Sequence, residues 1–511
     1  MPTLPHSEIT PFELDELTIA ELQDGLGTGR FTARSLVEKY SRRIDEIDRR
    51  GPTLNSVIEL NPDAFAIADT LDLERNAKRL RGPMHGIPIL LKDNLDTADR
   101  MMTTAGSLAL VGARPATDSF AARRLREAGA IILGKTNMSE WAYIRSSKAT
   151  SGWSARGGLT RNPYALDRNP CGSSSGSAVA VSANLCAAAI GTETDGSIVC
   201  PSSMNGIVGI KPTVGLVSRA GIIPISHTQD SAGPMCRTVR DAAIVLGTLT
   251  GADPNDTATT SSTAKSYSDY TQYLDSDGLT GARIGVVRSY FAYPAAKLME
   301  AALEVMKACG AIVIDAPIET IGKFDRSENI VLLHELKADL NAYLARLGSD
   351  APVHTLKDVI DFNLRNADKE LRYFGQNLLI EAEAKGPLSS PEYLDALANN
   401  HTMARARGID TAMDQLRLDA LVAPVTGPAW VTDLVTGDHL IGGGSQPAAV
   451  AGYPSVNVPA GFMFGLPVGI SFFGRAWSEP MLIRLAYAFE QASNVRQPPR
   501  YLSTADLNAW S

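Results

Sequence analysis

NPCGSSSGSAVAVSANLCAAAIGTETDGSIVCPSSMNGIVGIKP, residues 169–212, holds two serine clusters, CGSSSGS at 171–177 and TETDGS at 192–197, joined by small apolar residues. The joining run is too apolar for a surface loop. The stretch therefore reads as a turn, a helix from about Ser177, a buried strand over 187–191 and a second tight turn ending at Ser197. Glycine beside serine lets the backbone approach closely and take positive φ. Amides converging at a helix N-terminus favour negative charge. The tract has what a nucleophile and an oxyanion site need, and its embedded helix and strand set it apart from a flexible Gly/Ser linker.

Moving upstream, HGIPILLKDNLDT (85–97) reads as a buried strand over 87–91 with Lys92 at its C-terminal end. Before it, Thr18 and Glu21 make a capping-box pattern for a helix that Gly25, Gly27 and Gly29 end. A second helix from Thr32 carries Leu36, Tyr40, Ile44 and Ile47 on one stripe. A strand over 57–60 and a helix over 62–80 follow, and beyond Lys92 come a helix over 119–128, a strand over 131–133 and a helix near 138–143. This alternation predicts an α/β core with a covered sheet. Downstream, 251–282 is rich in Asp, Thr and Ser and reads as a surface connection. Strands over 283–287 and 311–314 flank a helix over 295–309, and 325–418 is helical and charged, a peripheral cap. Core-like strands return at 420–423, 455–458 and 467–473, and a helix over 480–491 closes the chain.

At 511 residues the chain exceeds a usual single core, so several subdomains or one large domain are expected. A composition 44% hydrophobic and 20% charged is that of a soluble globular protein. The net charge of −8 argues against a nucleic-acid surface. No apolar run approaches a membrane span, and MPTLPHSEIT shows no signal-peptide pattern, so a cytoplasmic location is expected. Cys171, Cys186, Cys200, Cys236 and Cys309 form no CxxC or zinc spacing, and free, mostly buried thiols are expected.

Two motif matches fail on context. GAIILGKT (129–136) satisfies GxxxxGK[ST], but its variable positions are the strand itself rather than an open loop. GSSSG (172–176) matches GxSxG, but a turn precedes it where a nucleophile elbow needs a strand. The seven histidines form no metal pattern, and His85 and His227 read as structural. A hydrolase without a histidine base needs another, and Lys92, desolvated at a buried strand end, can present a neutral amine. The competing reading pairs Lys92 with Asp93 or Asp96.

Together GIPILLKDN (86–94), CGSSSGS, the stretch 192–213 and DSAGPM (230–235) resemble the amidase signature family of serine hydrolases. The resemblance extends through GKTNMSEWA (134–142) and VAGYPSVNVPAG (450–461), with 260–420 least characteristic. It implies an α/β fold: one large amidase-signature domain over 1–511, with a mixed central sheet covered by helices on both faces. N-terminal helices would occupy 1–80, the signature core 81–260, a peripheral α/β and helical cap 261–420, and a return to the core 421–511. It also implies a Ser–cisSer–Lys triad with Lys92 as base, Ser173 as bridging serine in a cis peptide and Ser197 as nucleophile. The oxyanion would lie on the N–H groups of Thr194, Asp195, Gly196 and Ser197. No metal or organic cofactor is called for, and a monomer or homodimer is expected.

The chain also departs from the commonest family pattern. Cys171, Ser175 and Asp195 stand where glycine is usual, and Val199 where arginine is frequent. With SGWSARGG (151–158), these departures resemble the peptide amidase branch, which deamidates C-terminal peptide amides. The alternatives on the same core are aryl acylamidases, esterases, carbamate-cleaving relatives and an amidotransferase subunit.

Overall fold

The computed structural model describes residues 11–291, 295–349 and 351–509; the N-terminal MPTLPHSEIT reading lies outside them. Thirteen strands follow in chain order: β1 (Val57–Leu60), β2 (Pro88–Lys92), β3 (Ile131–Thr136), β4 (Trp153–Ser154), β5 (Gly158–Leu159), β6 (Ala188–Glu193), β7 (Val208–Lys211), β8 (Ser231–Cys236), β9 (Arg283–Val286), β10 (Ile312–Asp315), β11 (Ala420–Ala423), β12 (Ser455–Met463) and β13 (Leu466–Phe473). Eleven form one sheet in the order β1-β3-β2-β6-β8-β7-β12-β13-β11-β9-β10, and β4 and β5 make a separate ribbon. The sheet is mixed: β2 runs parallel to β3 and β6, whereas β8 is antiparallel to both β6 and β7.

Successive side chains on a strand point to opposite faces. Every side chain of β2, β3, β6, β7, β8, β11 and β13 is buried, so helices cover both faces. The fold is a single α/β domain, as expected. One sheet draws strands from both ends of the chain, and the 283–315 unit joins it at the β9–β10 edge.

Local signals acted where the sequence placed them. Thr18 and Glu21 form the reciprocal capping box, and the helix runs through Gly25 and Gly27 before stopping at Gly29, which takes φ 78°. Thr32 caps the second helix, and Leu36, Tyr40, Ile44 and Ile47 are all buried. GAIILGKT lies across β3, in agreement with its rejection as a phosphate loop. Between 138 and 143 the expected helix is only a short turn, Glu140–Tyr143, because Trp141 and Ala142 adopt left-handed backbone. The strands β7 and β8 are too short and glycine-broken to show a period in the sequence. Among the described residues no helix is long and apolar enough to cross a membrane.

Candidate active site

Lys92 ends β2, which lies inside the sheet between β3 and β6, and its side chain is fully buried. Its Nζ donates to Ser173 Oγ at 2.7 Å, to Thr192 Oγ1 at 2.8 Å and to the Thr192 carbonyl at 3.1 Å. Burial lowers its pKa to about 7, with the carboxylates of Asp230 and Glu193 opposing that fall. The alternative ion pairs are not made. Asp93 lies beside Arg156 and accepts from Thr104, and Asp96 accepts from the Tyr343 hydroxyl at 2.7 Å.

The first serine cluster is knitted to the strands beneath it. Ser177 Oγ donates to the Ile190 carbonyl at 3.1 Å, and Ser174 Oγ to that of Thr192 at 3.0 Å. The helix Ser175–Ser182 is buried on every side, which is why small residues fill it. A β-carbon on Gly176 would stand 2.3 Å from the Ser56 carbonyl oxygen, so glycine is required there. The Gly172–Ser173 peptide is cis, and Ser173 is buried.

Ser197 stands in the turn before the helix Val199–Met204, and its carbonyl accepts from the Ser174 N–H at 3.2 Å. This bond joins the two clusters directly. The Ile198 and Val199 N–H groups donate to the Glu193 carboxylate at 2.7 and 3.0 Å. The preceding N–H groups of Thr194, Asp195, Gly196 and Ser197 find no acceptor among the described residues. Gly196, not Asp195, takes the left-handed conformation, φ 76°, so the aspartate bears no backbone strain there. Asp195 is half-buried and accepts from Ser445 Oγ at 2.6 Å. Its pKa is pushed well above the carboxylate range by burial first and the nearby Glu328 second. Thr194 Oγ1 donates to Asp230 at 2.6 Å.

Several partners escaped the sequence reading. Thr192, Glu193 and Asp230 fall inside the quoted motifs, but nothing in their spacing shows that Thr192 bonds Lys92 or that the two carboxylates act on its charge. The largest correction concerns the cysteines: Cys171 and Cys200 are joined in a disulfide, while Cys186, Cys236 and Cys309 are free. Two half-cystines 29 residues apart resemble two small buried residues until the fold brings them together. His85 bonds the Leu71 carbonyl and His227 bonds Asp339, and neither bonds Ser173 or Ser197 among the described residues. A cavity of about 250 Å³ adjoins the lysine's partners, lined in part by Asn94, Thr192, Thr194, Ser231, His227 and Tyr343.

Comparison with known proteins gives the family. The family model described as Amidase matches residues 35–483. The chain belongs to the amidase family. It is an amide-bond hydrolase. This amidase is 44% identical over 502 residues to a probable amidase of Arabidopsis thaliana, covering 96% of this chain and 93% of that one. It is 32% identical to a glutamyl-tRNA(Gln) amidotransferase subunit of Halorhodospira halophila, covering 94% and 98% of the two chains. Among solved structures, a peptide amidase in complex with the competitive inhibitor chymostatin matches with TM-score 0.93 and 51% identity, covering 96% of this chain and 100% of that one. The native peptide amidase from Stenotrophomonas maltophilia matches with TM-score 0.92 and 50% identity, covering 96% and 99%.

Proposed function

We propose that the chain hydrolyses C-terminal peptide amides or small carboxamides to a carboxylate and ammonia or an amine, through Ser197, Ser173 and Lys92. The observation that carries this reading is the 2.7 Å contact between Lys92 Nζ and Ser173 Oγ. A neutral lysine has two N–H donors and one lone pair. Protonated, Nζ donates to all three partners; neutral, its two N–H groups are met by the Thr192 carbonyl and hydroxyl, and its lone pair can accept the proton of the Ser173 hydroxyl.

Ser197 Oγ attacks the amide carbon while its proton passes to Ser173, whose own proton passes to Lys92. The carbonyl oxygen becomes an oxyanion held by the free N–H groups of the 194–197 turn, where losing one donor costs about 2.7–4 kcal/mol. Lys92 then returns the proton through Ser173 to the departing nitrogen as the C–N bond breaks. Water attacks the acyl-enzyme by the same relay, releasing the carboxylate and regenerating Ser197. The peptide amidase relatives at 50–51% identity support the peptide-amide substrate over aryl, ester and carbamate alternatives. The Cys171–Cys200 disulfide weighs against the cytoplasmic expectation, because reducing thiol pools keep cytosolic pairs open.

The test is covalent labelling with a fluorophosphonate, read by intact mass. Wild type gains one adduct and Ser197→Ala gains none. Label that persists in Ser197→Ala but disappears in Ser174→Ala would overturn the assignment in favour of a nucleophile elbow.

A further inference from the structure

The two serine-bearing turns stand on either side of the helix Ser175–Ser182 and β6, and in the proposed mechanism their relative position sets whether the proton relay works. Cys171 lies two residues before Ser173, and Cys200 three residues after Ser197, on the first turn of the helix Val199–Met204. Cys171 sits at φ 60°, in the left-handed region where a β-carbon meets its own carbonyl and glycine is the default. Such a residue persists only when its surroundings over-determine it, and outliers of this kind gather at functional sites. Its backbone is held on both sides: its N–H donates to Asn169 Oδ1 at 2.7 Å, and its carbonyl accepts from Ser175 Oγ at 2.6 Å. At the other end of the crosslink, the Cys200 N–H donates to the Gly196 carbonyl at 2.8 Å, within the turn that carries the free N–H groups.

We propose that the Cys171–Cys200 disulfide is a positioning device for catalysis: it locks Cys171 in its left-handed conformation and thereby holds Ser173 in register with Lys92 and Ser197. Both half-cystines are buried, so the crosslink acts inside the site rather than as a surface staple. There is little slack for a relaxed loop to re-find its place. A β-carbon on Gly172 would stand 2.2 Å from Ser139 Oγ, which shows how tightly the segment is packed. When the bond is absent, Cys171 can relax toward negative φ, and Ser173 two residues on moves off the lysine. The proposal rests on the roles given above to Ser173 and Ser197.

Three proteins test it: wild type, Cys200→Ala, and Cys171→Gly combined with Cys200→Ala. Unreduced peptide mapping of wild type must first show the 171–200 link, and its absence overturns the proposal. Cys200→Ala should lower kcat by about ten- to a hundred-fold, the scale of a misplacement near 1 Å, with KM little changed. The double variant should recover to within about threefold of wild type, because glycine takes the left-handed conformation unaided. A disulfide that served stability alone would give the opposite split, a lower melting temperature in both variants with kcat unchanged. Wild-type kcat in Cys200→Ala, or a folded double variant no better than the single one, overturns the proposal. Should Cys200→Ala fail to fold, the double variant decides alone: near-wild-type kcat supports the idea and a deep loss overturns it. Fluorophosphonate labelling of wild-type Ser197 separates the two readings, since a missing label there defeats the triad itself and not only the crosslink.

Discussion

The sheet beneath the serines and the cap helix Asp325–Leu344 above them use buried charge in different ways. In the sheet, Lys92, Lys135 and Lys211 are all fully buried at or near strand ends, and each donates to backbone carbonyls. In the cap, buried carboxylates are held mostly by side chains, some from loops and some from neighbouring helices. Glu335 accepts from Ser226, Thr228 and Tyr393, and Glu328 accepts from Gln229 and Gln446. Thr192 lies on the adjoining strand β6, and Leu95, Pro212 and Tyr453 lie within three residues of a strand end, so the sheet holds these backbone partners in place. Side-chain partners can be exchanged with little change to the backbone, which sets the cap apart from the sheet.

The largest effect should come from the sheet. Lys92→Met should lower kcat/KM by about 10³-fold or more, beyond the usual 10²–10⁴ range only if the relay also collapses. With the Lys92 pKa near 7, wild-type activity should fall as the pH drops through that value, because protonation removes the base. One pH unit lower, only about a tenth of the lysine remains neutral. An acid limb that persists unchanged in the residual activity of Lys92→Met would break the assignment of that limb.

Glu335→Gln probes the cap at a site with no backbone role in the relay. It should destabilise the fold by about 1–3 kcal/mol, since a buried acceptor network is left mismatched. Its kcat should change by only about threefold or less if the relay geometry stays with the sheet. Denaturant unfolding and steady-state kinetics together read the split, and a kcat loss as deep as that of Lys92→Met would erase the contrast between the regions.

Asp195→Asn is the smallest and sits at the boundary. Burial first and the nearby Glu328 second raise the pKa of Asp195 above its ordinary value, so its carboxyl gives up its proton at higher pH than a free one. The substitution should leave neutral amides unaffected. As the pH rises, wild type should discriminate increasingly against acidic substrates, because like charges ~6 Å apart at an effective dielectric of ~20 repel by roughly 2–3 kcal/mol. The ratio of kcat/KM for neutral and acidic substrates, followed against pH in both proteins, measures this. A ratio that is flat and equal in the two leaves the carboxylate without an electrostatic role.

Local chemistry made much of this protein readable from one dimension. The apolar run before Lys92 marks a buried strand whatever surrounds it, and desolvation of a lysine at its end follows from burial alone. Capping at Thr18 and Thr32 needs only neighbours three residues away. The close spacing of glycine and serine in 171–177 and 192–197 announces turns that glycine alone can make, and Gly196 takes one of them. Tertiary structure decided what depends on residues far apart in sequence meeting. It set β8 between β6 and β7, placed Thr192 on Lys92 across 100 residues, and left four N–H groups of one turn without acceptors among the described residues. It also turned Cys171 and Cys200 from two small buried residues into a covalent link between the segments of Ser173 and Ser197. Periodicity and propensity are sums over near neighbours, whereas bonds such as these exist only once the whole sheet has closed and its packing has chosen which distant atoms meet.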